Sequence, residues 1–351
     1  MREGVAMSKV HIFLRWQVFV GLLAWVLAVS AQPEWAWLYR KSFTSGKEAA
    51  SAKELLFTRL GIPCFTQLLC SWNALRPQKG YFGIYLQARD QTSKRWGRWH
   101  HIADWGAGVQ RSFMDKADLF DQFVHVRLEI DKRHRADGFR VKVVSQDEAD
   151  LRLLKGLAVN VANFDDFRSE NVAGLQELPS VAIAGMPRIS QFALDHVDSD
   201  KICSPASCTM LASFLSRKQF DPLKFAKNVY DFGLGVYGSW PFNVAHAFEA
   251  TGGRYRFAVT RLNSFVQLHR QLMRGLPVVA SVRGPLNRAA RPYAGGHLLV
   301  VTGWDAKTRE VISNDPAFER HELVQQRYEL SEFLAAWQRS HRLTYLAESI
   351  V

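Results

Sequence analysis

Residues 201–211 read Lys-Ile-Cys-Ser-Pro-Ala-Ser-Cys-Thr-Met-Leu, and this stretch predicts a helix that begins beside a cysteine. Pro205 suits the first turn of a helix, where its missing N–H costs no hydrogen bond, and Ser204 is a favourable N-cap residue. Apolar side chains follow at helical spacing, at Met210, Leu211, Phe214 and Leu215. The helix dipole and the free amides of the first turn stabilise a thiolate, so Cys203 is a candidate nucleophile. A buried structural thiol is the alternative, and it is the expectation for Cys208.

A histidine and an aspartate follow in an order that suits nucleophilic catalysis. Residues 294–305 read Ala-Gly-Gly-His-Leu-Leu-Val-Val-Thr-Gly-Trp-Asp, which predicts a strand with His297 near its start. After a turn, residues 310–316 read Glu-Val-Ile-Ser-Asn-Asp-Pro and predict the returning strand of a hairpin. Because a hairpin pairs the start of one strand with the end of the other, Asp315 is expected beside His297. A carboxylate on one ring nitrogen fixes the imidazole tautomer and leaves the other nitrogen for the thiol.

Asn314 and Gln191 are further candidates for the same site. Asn314 is the alternative partner for His297, but neighbouring strand residues point to opposite faces, so its side chain is expected to point away. Gln191 follows the extended segment 186–190 ahead of the cysteine, and its side-chain amide could donate a hydrogen bond to an oxyanion. A loop glutamine that faces solvent is the alternative.

Taken together, these segments resemble the bacteriocin-leader-processing family of cysteine peptidases, and more closely its secreted, peptidase-like branch without a transporter. The resemblance covers residues 181–351. It rests on the succession Pro-x-Ile-Ser-Gln, Cys-Ser-Pro-Ala-Ser, Gly-Gly-His-Leu-x-Val-Val-x-Gly and Asn-Asp-Pro. One position departs from the pattern, since many members have glycine directly after the nucleophile and this chain has Ser204.

The resemblance implies a papain-like domain over residues 176–351. Its catalytic residues would be Cys203 as nucleophile, His297 as base, Asp315 as orienting acid and Gln191 as oxyanion donor. No cofactor and no metal is implied. Nothing in the chain resembles the membrane and ATPase portions of the leader-processing exporters, so their double-glycine specificity is not carried over.

Residues 50–175 predict a separate, strand-rich module. Short segments with alternating polarity are separated by turn signals, at residues 65–72, 81–88, 96–105, 123–130 and 139–144. Antiparallel strands at this spacing favour a β-sandwich-like module, so the predicted class of the whole chain is α+β. The polar stretch 160–177 is interpreted as a connector to the peptidase-like domain.

Aromatic and histidine residues of this module allow two sharper interpretations. Tryptophans crowd the predicted strands, at Trp72, Trp96, Trp99 and Trp105, and they indicate either core packing or a carbohydrate platform. His100, His101 and Asp104 could be drawn as a metal cluster, but adjacent strand residues point to opposite faces, so no metal is expected there.

The first 31 residues are typical of a signal peptide. Arg2, Lys9 and Arg15 precede the apolar run 16–29, and small residues close the run, with cleavage predicted after Ala31. An uncleaved N-terminal anchor is the alternative. In both cases the protein is expected to be exported, periplasmic or extracellular, and to touch a membrane only through this segment if it stays uncleaved.

Composition narrows the classes of partner. The 351-residue chain carries a net charge of +12, but it has no zinc-finger spacing and no RNA-binding aromatic motif, so no nucleic-acid partner is expected. A basic surface favours acidic partners such as cell-envelope polymers. The spacing of the four cysteines fits neither a disulfide framework nor a zinc site.

Three functions remain open on the sequence alone. The first is hydrolysis of peptide or isopeptide bonds in a peptide or protein substrate. The second is acyl transfer in the manner of transglutaminases, which use the same order of cysteine, histidine and aspartate. The third is a catalytically silent protein that binds peptides or cell-wall polymers.

Overall fold

The structure is a computed structural model that describes residues 33–43 and 52–350. The predicted signal peptide, residues 1–31, lies outside the described residues. Among the helices of the described ranges, none is both long and apolar enough to cross a membrane.

Two five-stranded antiparallel sheets form the N-terminal part of the described chain. The first sheet has the order β1 (Ala36–Ser42), β10 (Leu154–Ala162), β3 (Gln67–Ala74), β8 (Arg127–Ile130) and β7 (Asp121–Val124). The second has the order β2 (Glu54–Phe65), β9 (Ala136–Gln146), β4 (Tyr81–Asp90), β5 (His100–Gly106) and β6 (Val109–Ser112). Trp72 of the first sheet meets Trp105 of the second edge to face, with ring centroids 6.3 Å apart. Buried side chains of the two sheets therefore belong to one apolar core, and the β-sandwich-like module stays a prediction.

The sequence prediction differs from the structure at several places in this region. The strand predicted over 96–105 begins only at His100. The single strand predicted over 123–130 is two strands, β7 and β8, which turn at His125 and Val126, both with positive φ. Residues 160–162, assigned to the polar connector, belong to β10. Almost every side chain of β10 is buried, so the alternation of polar and apolar residues that marks a half-buried strand is missing there.

A third antiparallel sheet and five helices form the C-terminal part, so the predicted α+β class is confirmed. The sheet has the order β12 (Tyr255–Arg261), β17 (Leu343–Ser349), β13 (Val278–Gly284), β14 (Tyr293–Asp305), β15 (Glu310–Asn314) and β16 (Gln325–Glu329), and β11 (Val181–Ala182) pairs with β14. The helices are α1 (Cys203–Ser216), α2 (Pro222–Val229), α3 (Trp240–Ala250), α4 (Phe265–Met273) and α5 (Leu330–Gln338). Helix α1 is buried along most of its length between β14 and the pair α2 and α3.

Buried polar contacts join the N-terminal sheets to the C-terminal part, and residues from Glu34 onward belong to one compact unit. The side chain of Asn73 donates to the Phe257 carbonyl (2.9 Å) and accepts from the Phe257 amide (2.7 Å). The fully buried Asp231 accepts from the backbone amide of Ser112 (2.8 Å) and from the hydroxyls of Ser112 and Ser239. The bonds of Asp231 fix strand β6, which contains Ser112, against the segment that leads into α3. The boundary near residue 175 stays a prediction.

Candidate active site

Cys203 is the first residue of helix α1, as the sequence predicts, but the cap of that helix differs from the prediction. The N-cap residue is Ile202, and no side chain caps the helix. Ser204 lies inside the first turn, fully buried, where its hydroxyl hydrogen-bonds to the hydroxyl of Tyr345 (3.0 Å). The prediction that Ser204 is the N-cap was therefore wrong. No N-cap side chain therefore competes with the thiol for the amides at the start of the helix.

The environment of Cys203 favours its thiolate. Burial raises the pKa of this half-buried thiol, but the hydrogen bond and positive charge of His297 lower it. The backbone amides of Leu298 and Ser204 also hydrogen-bond to the sulfur, and the net effect is a pKa below that of an ordinary thiol. The structure thus provides the charge environment expected of a nucleophile.

Cys203 differs in this respect from two other cysteines, although all four are free. Burial raises the pKa of Cys70 to about 12. Burial also raises the pKa of Cys208, which lies one and a half turns further along α1. These two thiols are buried among apolar side chains and stay protonated, as expected for structural cysteines.

His297 and Asp315 are in direct contact. The Nε2 atom of His297 lies 2.7 Å from Oδ1 of Asp315, and both side chains are buried. His297 is paired with Val282 within the sheet, while Asp315 follows the last residue of β15 and reaches back along the hairpin. Because Nε2 is taken by the carboxylate, Nδ1 is the ring nitrogen left to Cys203, whose interaction with His297 raises the pKa of the imidazole. The three groups therefore form a line from thiol to imidazole to carboxylate.

His297 and Asp315 stabilise each other's charged forms. Burial lowers the pKa of His297, but the charge and hydrogen bond of Asp315 and the contact with Cys203 raise it to about 10. Burial raises the pKa of Asp315, but the charge and hydrogen bond of His297 outweigh that effect and hold it below its usual value. The shifts favour the charged form of each group: a thiolate, an imidazolium and a carboxylate.

Asn314 points away from this line, as expected from the alternation of strand residues. Its side-chain nitrogen donates to the Pro187 carbonyl (2.8 Å), and its backbone pairs with Val300. The structure brings Asp315, and not Asn314, to the imidazole.

Gln191 lies beside the same segment, but its side-chain amide is engaged. Its backbone amide donates to the Pro316 carbonyl (2.9 Å), and its fully buried side chain donates through Nε2 to the Ser199 carbonyl (2.8 Å). Its Oε1 atom has no hydrogen-bond partner. The side-chain nitrogen carries two N–H donors, so the bond to Ser199 uses one of them and leaves the other for an oxyanion.

Two tyrosines at the site were missed by the sequence analysis. Tyr293 and Tyr328 each donate a hydrogen bond of 2.6 Å to Oδ2 of Asp315. Tyr293 lies four residues before His297 on β14, so strand alternation could have placed both on one face. Tyr328 belongs to β16 and reaches Asp315 only through the folding of the sheet, for which the sequence contains no local signal.

The aromatic and histidine residues of the N-terminal sheets separate into buried and outer groups. Trp72 and Trp105 are buried in the core, while Arg140 lies 3.9 Å from the ring centroid of Trp96 and Lys142 lies 4.7 Å from that of Trp99. His100 is fully buried and His101 is half-buried on the other face of β5. Within residues 33–43 and 52–350, no group of three or more His, Cys, Asp and Glu side chains forms a potential metal site.

A comparison with protein families finds a match in the C-terminal part. A model of the Peptidase_C39 like family matches residues 183–345, a range that contains Gln191, Cys203, His297 and Asp315. The match supports a cysteine-peptidase-like domain there. Among solved structures, xylellain, a cysteine protease from Xylella fastidiosa, is 12% identical and covers 54% of this chain and 94% of its own, with a TM-score of 0.34. At that TM-score the likeness supports no further conclusion. No curated protein sequence matches the chain.

Proposed function

We propose that this protein is an exported cysteine-peptidase-like hydrolase that cleaves peptide or isopeptide bonds through Cys203, His297 and Asp315. The observation that carries the proposal is the contact of His297 Nε2 with the Asp315 carboxylate (2.7 Å), which leaves Nδ1 for the interaction with the Cys203 thiol. An imidazole arranged in this way can hold a proton for the thiolate and give it to a leaving group.

The reaction follows from these positions. The thiolate of Cys203 attacks the carbonyl carbon, and the carbonyl electron pair moves onto oxygen. The C–N bond then breaks as Nδ1 of His297 gives its proton to the leaving amine, which leaves a thioester on Cys203. Water attacks the thioester and passes a proton to His297, the C–S bond breaks and the thiolate is restored. Asp315 stabilises the imidazolium at each stage.

Oxyanion stabilisation falls to groups near the start of α1. The backbone amide of Cys203 is one donor in this proposal, and the other is the N–H of Gln191 that the Ser199 carbonyl does not use. We expect Gln191→Ala to lower hydrolysis by about 10- to 1,000-fold, with no change in the rate at which a small alkylating reagent labels Cys203. Alkylation passes through no oxyanion, so an equal loss in both rates would contradict this role.

The proposed substrate is a peptide, a protein or a cell-envelope polymer that contains peptide bonds. The proposed location is the periplasm or the outside of the cell, after cleavage behind Ala31. Both proposals rest on the N-terminal sequence and on the positive charge of the chain.

A peptide mixture tests the activity directly. The protein from residue 32 onward is incubated with a peptide mixture and with cell-wall peptides, together with a labelled primary amine, and new termini are found by mass spectrometry. We expect new termini that disappear in Cys203→Ala and persist in the matched variant Cys64→Ala, since Cys64 lies on β2, in the N-terminal sheets. Amine incorporation in place of hydrolysis would favour the acyl-transferase alternative. Peptides bound but never cleaved would favour the binding protein.

A further inference from the structure

We propose that Tyr293 and Tyr328 are positioning residues that lock the Asp315 carboxylate against His297, an inference that rests on the proposed peptidase site. Both act through Asp315, and Tyr293 also acts through the imidazole ring.

The carboxylate of Asp315 has a donor at each of its four acceptor positions. Oδ1 accepts from His297 Nε2 (2.7 Å) and from the backbone amide of Ala317 (2.9 Å). Oδ2 accepts from the hydroxyls of Tyr293 and Tyr328, both at 2.6 Å. A carboxylate offers about four such positions, so the group is saturated. Rotation of the carboxylate would break all four bonds in a site that water does not reach, since Asp315 is fully buried.

Tyr293 restrains the imidazole as well as the carboxylate. Its ring is stacked on that of His297, with centroids 4.1 Å apart and planes inclined by 18°. The two residues lie on the same strand, β14, while Tyr328 comes from β16, which pairs with β15 through Val311. Three neighbouring strands therefore converge on Asp315 and fix both partners of the contact.

The two hydroxyls also determine where the proton resides. A buried carboxylate without donors takes up a proton readily, because burial disfavours its charge. Burial raises the pKa of Asp315, but the charge and hydrogen bond of His297, together with the hydroxyls of Tyr293 and Tyr328, keep it charged, so the proton stays on His297 and its positive charge faces the thiolate. Burial and the charge of Asp315 raise the pKa of both tyrosines, so both remain donors throughout the working pH range.

The test removes the two hydroxyls and leaves the rings. In the full-length protein, Tyr293→Phe, Tyr328→Phe and the double variant are compared with wild type by the pH dependence of Cys203 alkylation and by the NMR titration of His297. Tyr345→Phe is the matched control, because it removes another buried tyrosine hydroxyl that contacts Ser204 and not Asp315. Thermal unfolding checks that each variant folds.

We expect both titrations of the double variant to move to higher pH, by roughly one unit. Without its donors Asp315 competes for the proton, so the imidazole supports the thiolate less, and alkylation on the acid side of the profile falls about tenfold. The His297–Asp315 pair also holds its shared proton more tightly, so the His297 titration rises. Each single variant shifts less, and Tyr345→Phe leaves both titrations in place.

The outcomes separate a positioning role from simple packing. If the tyrosines only fill space, the loosened imidazole loses contact with Asp315 and the His297 titration moves to lower pH, which would overturn the proposal. Unchanged titrations would overturn it as well. A wild-type Cys203 that shows no alkylation at low pH would contradict the proposed peptidase site, whereas the His297 titration of the variants would still decide the role of the tyrosines.

Discussion

His100 and His297 are both buried histidines that bond to carboxylates, and they differ in one respect. His100, on β5, has a carboxylate on each ring nitrogen: Nδ1 lies 2.6 Å from Oδ2 of Asp115 and Nε2 lies 2.8 Å from Oδ1 of Asp121. His297, on β14, has one carboxylate, and its other nitrogen faces the sulfur of Cys203. Both imidazoles are almost completely buried.

The difference shows what makes a buried histidine reactive. With both nitrogens bonded to carboxylates, His100 has no position from which to exchange a proton with a substrate, so it joins β5 to β7, which begins at Asp121, and to the segment at Asp115. His297 has one nitrogen fixed and the other directed at a nucleophile. Burial and a carboxylate partner are common to both sites, so neither feature identifies the catalytic histidine. The nitrogen that bonds the thiol does.

The largest expected effect comes from removing the charge of the single carboxylate. We expect Asp315→Asn to lower peptide hydrolysis by on the order of 100- to 10,000-fold, because the imidazolium loses its support and the tautomer is no longer fixed. Asp121→Asn is the matched change at His100, and hydrolysis per folded molecule should stay within about twofold of wild type. Initial rates normalised to folded protein measure both. Similar losses in the two variants would remove the distinction between the histidines.

For the free energy of unfolding, the order of the two sites is expected to reverse, with the larger loss at His100. His100→Ala leaves Asp121 buried without its partner, and Oδ2 of Asp121 already has none, so the free energy of unfolding should fall by about 3–5 kcal/mol. His297→Ala should cost less, about 1–3 kcal/mol, because Asp315 keeps the donors Tyr293, Tyr328 and Ala317. Urea unfolding of both variants measures the difference. A larger loss for His297→Ala would contradict it.

The smallest expected effect is the pH dependence of the His100 contribution. Burial lowers the pKa of His100, but the hydrogen bonds and charges of Asp121 and Asp115 raise it by more than burial lowers it. The pKa of His100 in the folded protein therefore lies above its value in the unfolded protein. The stabilisation is therefore fully present below the unfolded pKa of about 6.5 and is lost as the pH rises through the folded pKa. The destabilisation caused by His100→Ala should be larger near pH 6 than near pH 9, as measured by urea unfolding at both values. A constant difference would indicate that His100 is neutral in the folded protein.

The sequence predicted those parts of the site that depend on local pattern. A cysteine before Ser-Pro at the start of an apolar helix, and a histidine and aspartate at the two ends of a hairpin, are readable from residues 201–211 and 294–316. The contact of Tyr328 with Asp315 depends on the pairing of β15 with β16, which no local pattern encodes. The engagement of Gln191 by Ser199 depends likewise on how the intervening loop folds.

The fold was predictable in class but not in every strand. The turn between β7 and β8 falls on His125 and Val126, where no glycine, asparagine or proline indicates a reversal, so one strand was predicted for two. Strand β10 was missed because both of its faces are buried. Its polar-to-apolar alternation, the main signal for a strand, is lost where another layer covers the sheet.

The most direct test of the account is the reactivity of the cysteines. The protein is treated with iodoacetamide at a series of pH values from about 5 to 9, and the label is located by mass spectrometry. We expect Cys203 to be labelled selectively well below the ~8.5 of a free thiol, while Cys70 and Cys208 remain unlabelled, and we expect this low-pH labelling to disappear in His297→Ala. Labelling of Cys203 that rises only near ~8.5, or that is unchanged in His297→Ala, would contradict the assignment of His297 and Cys203 as a reactive pair.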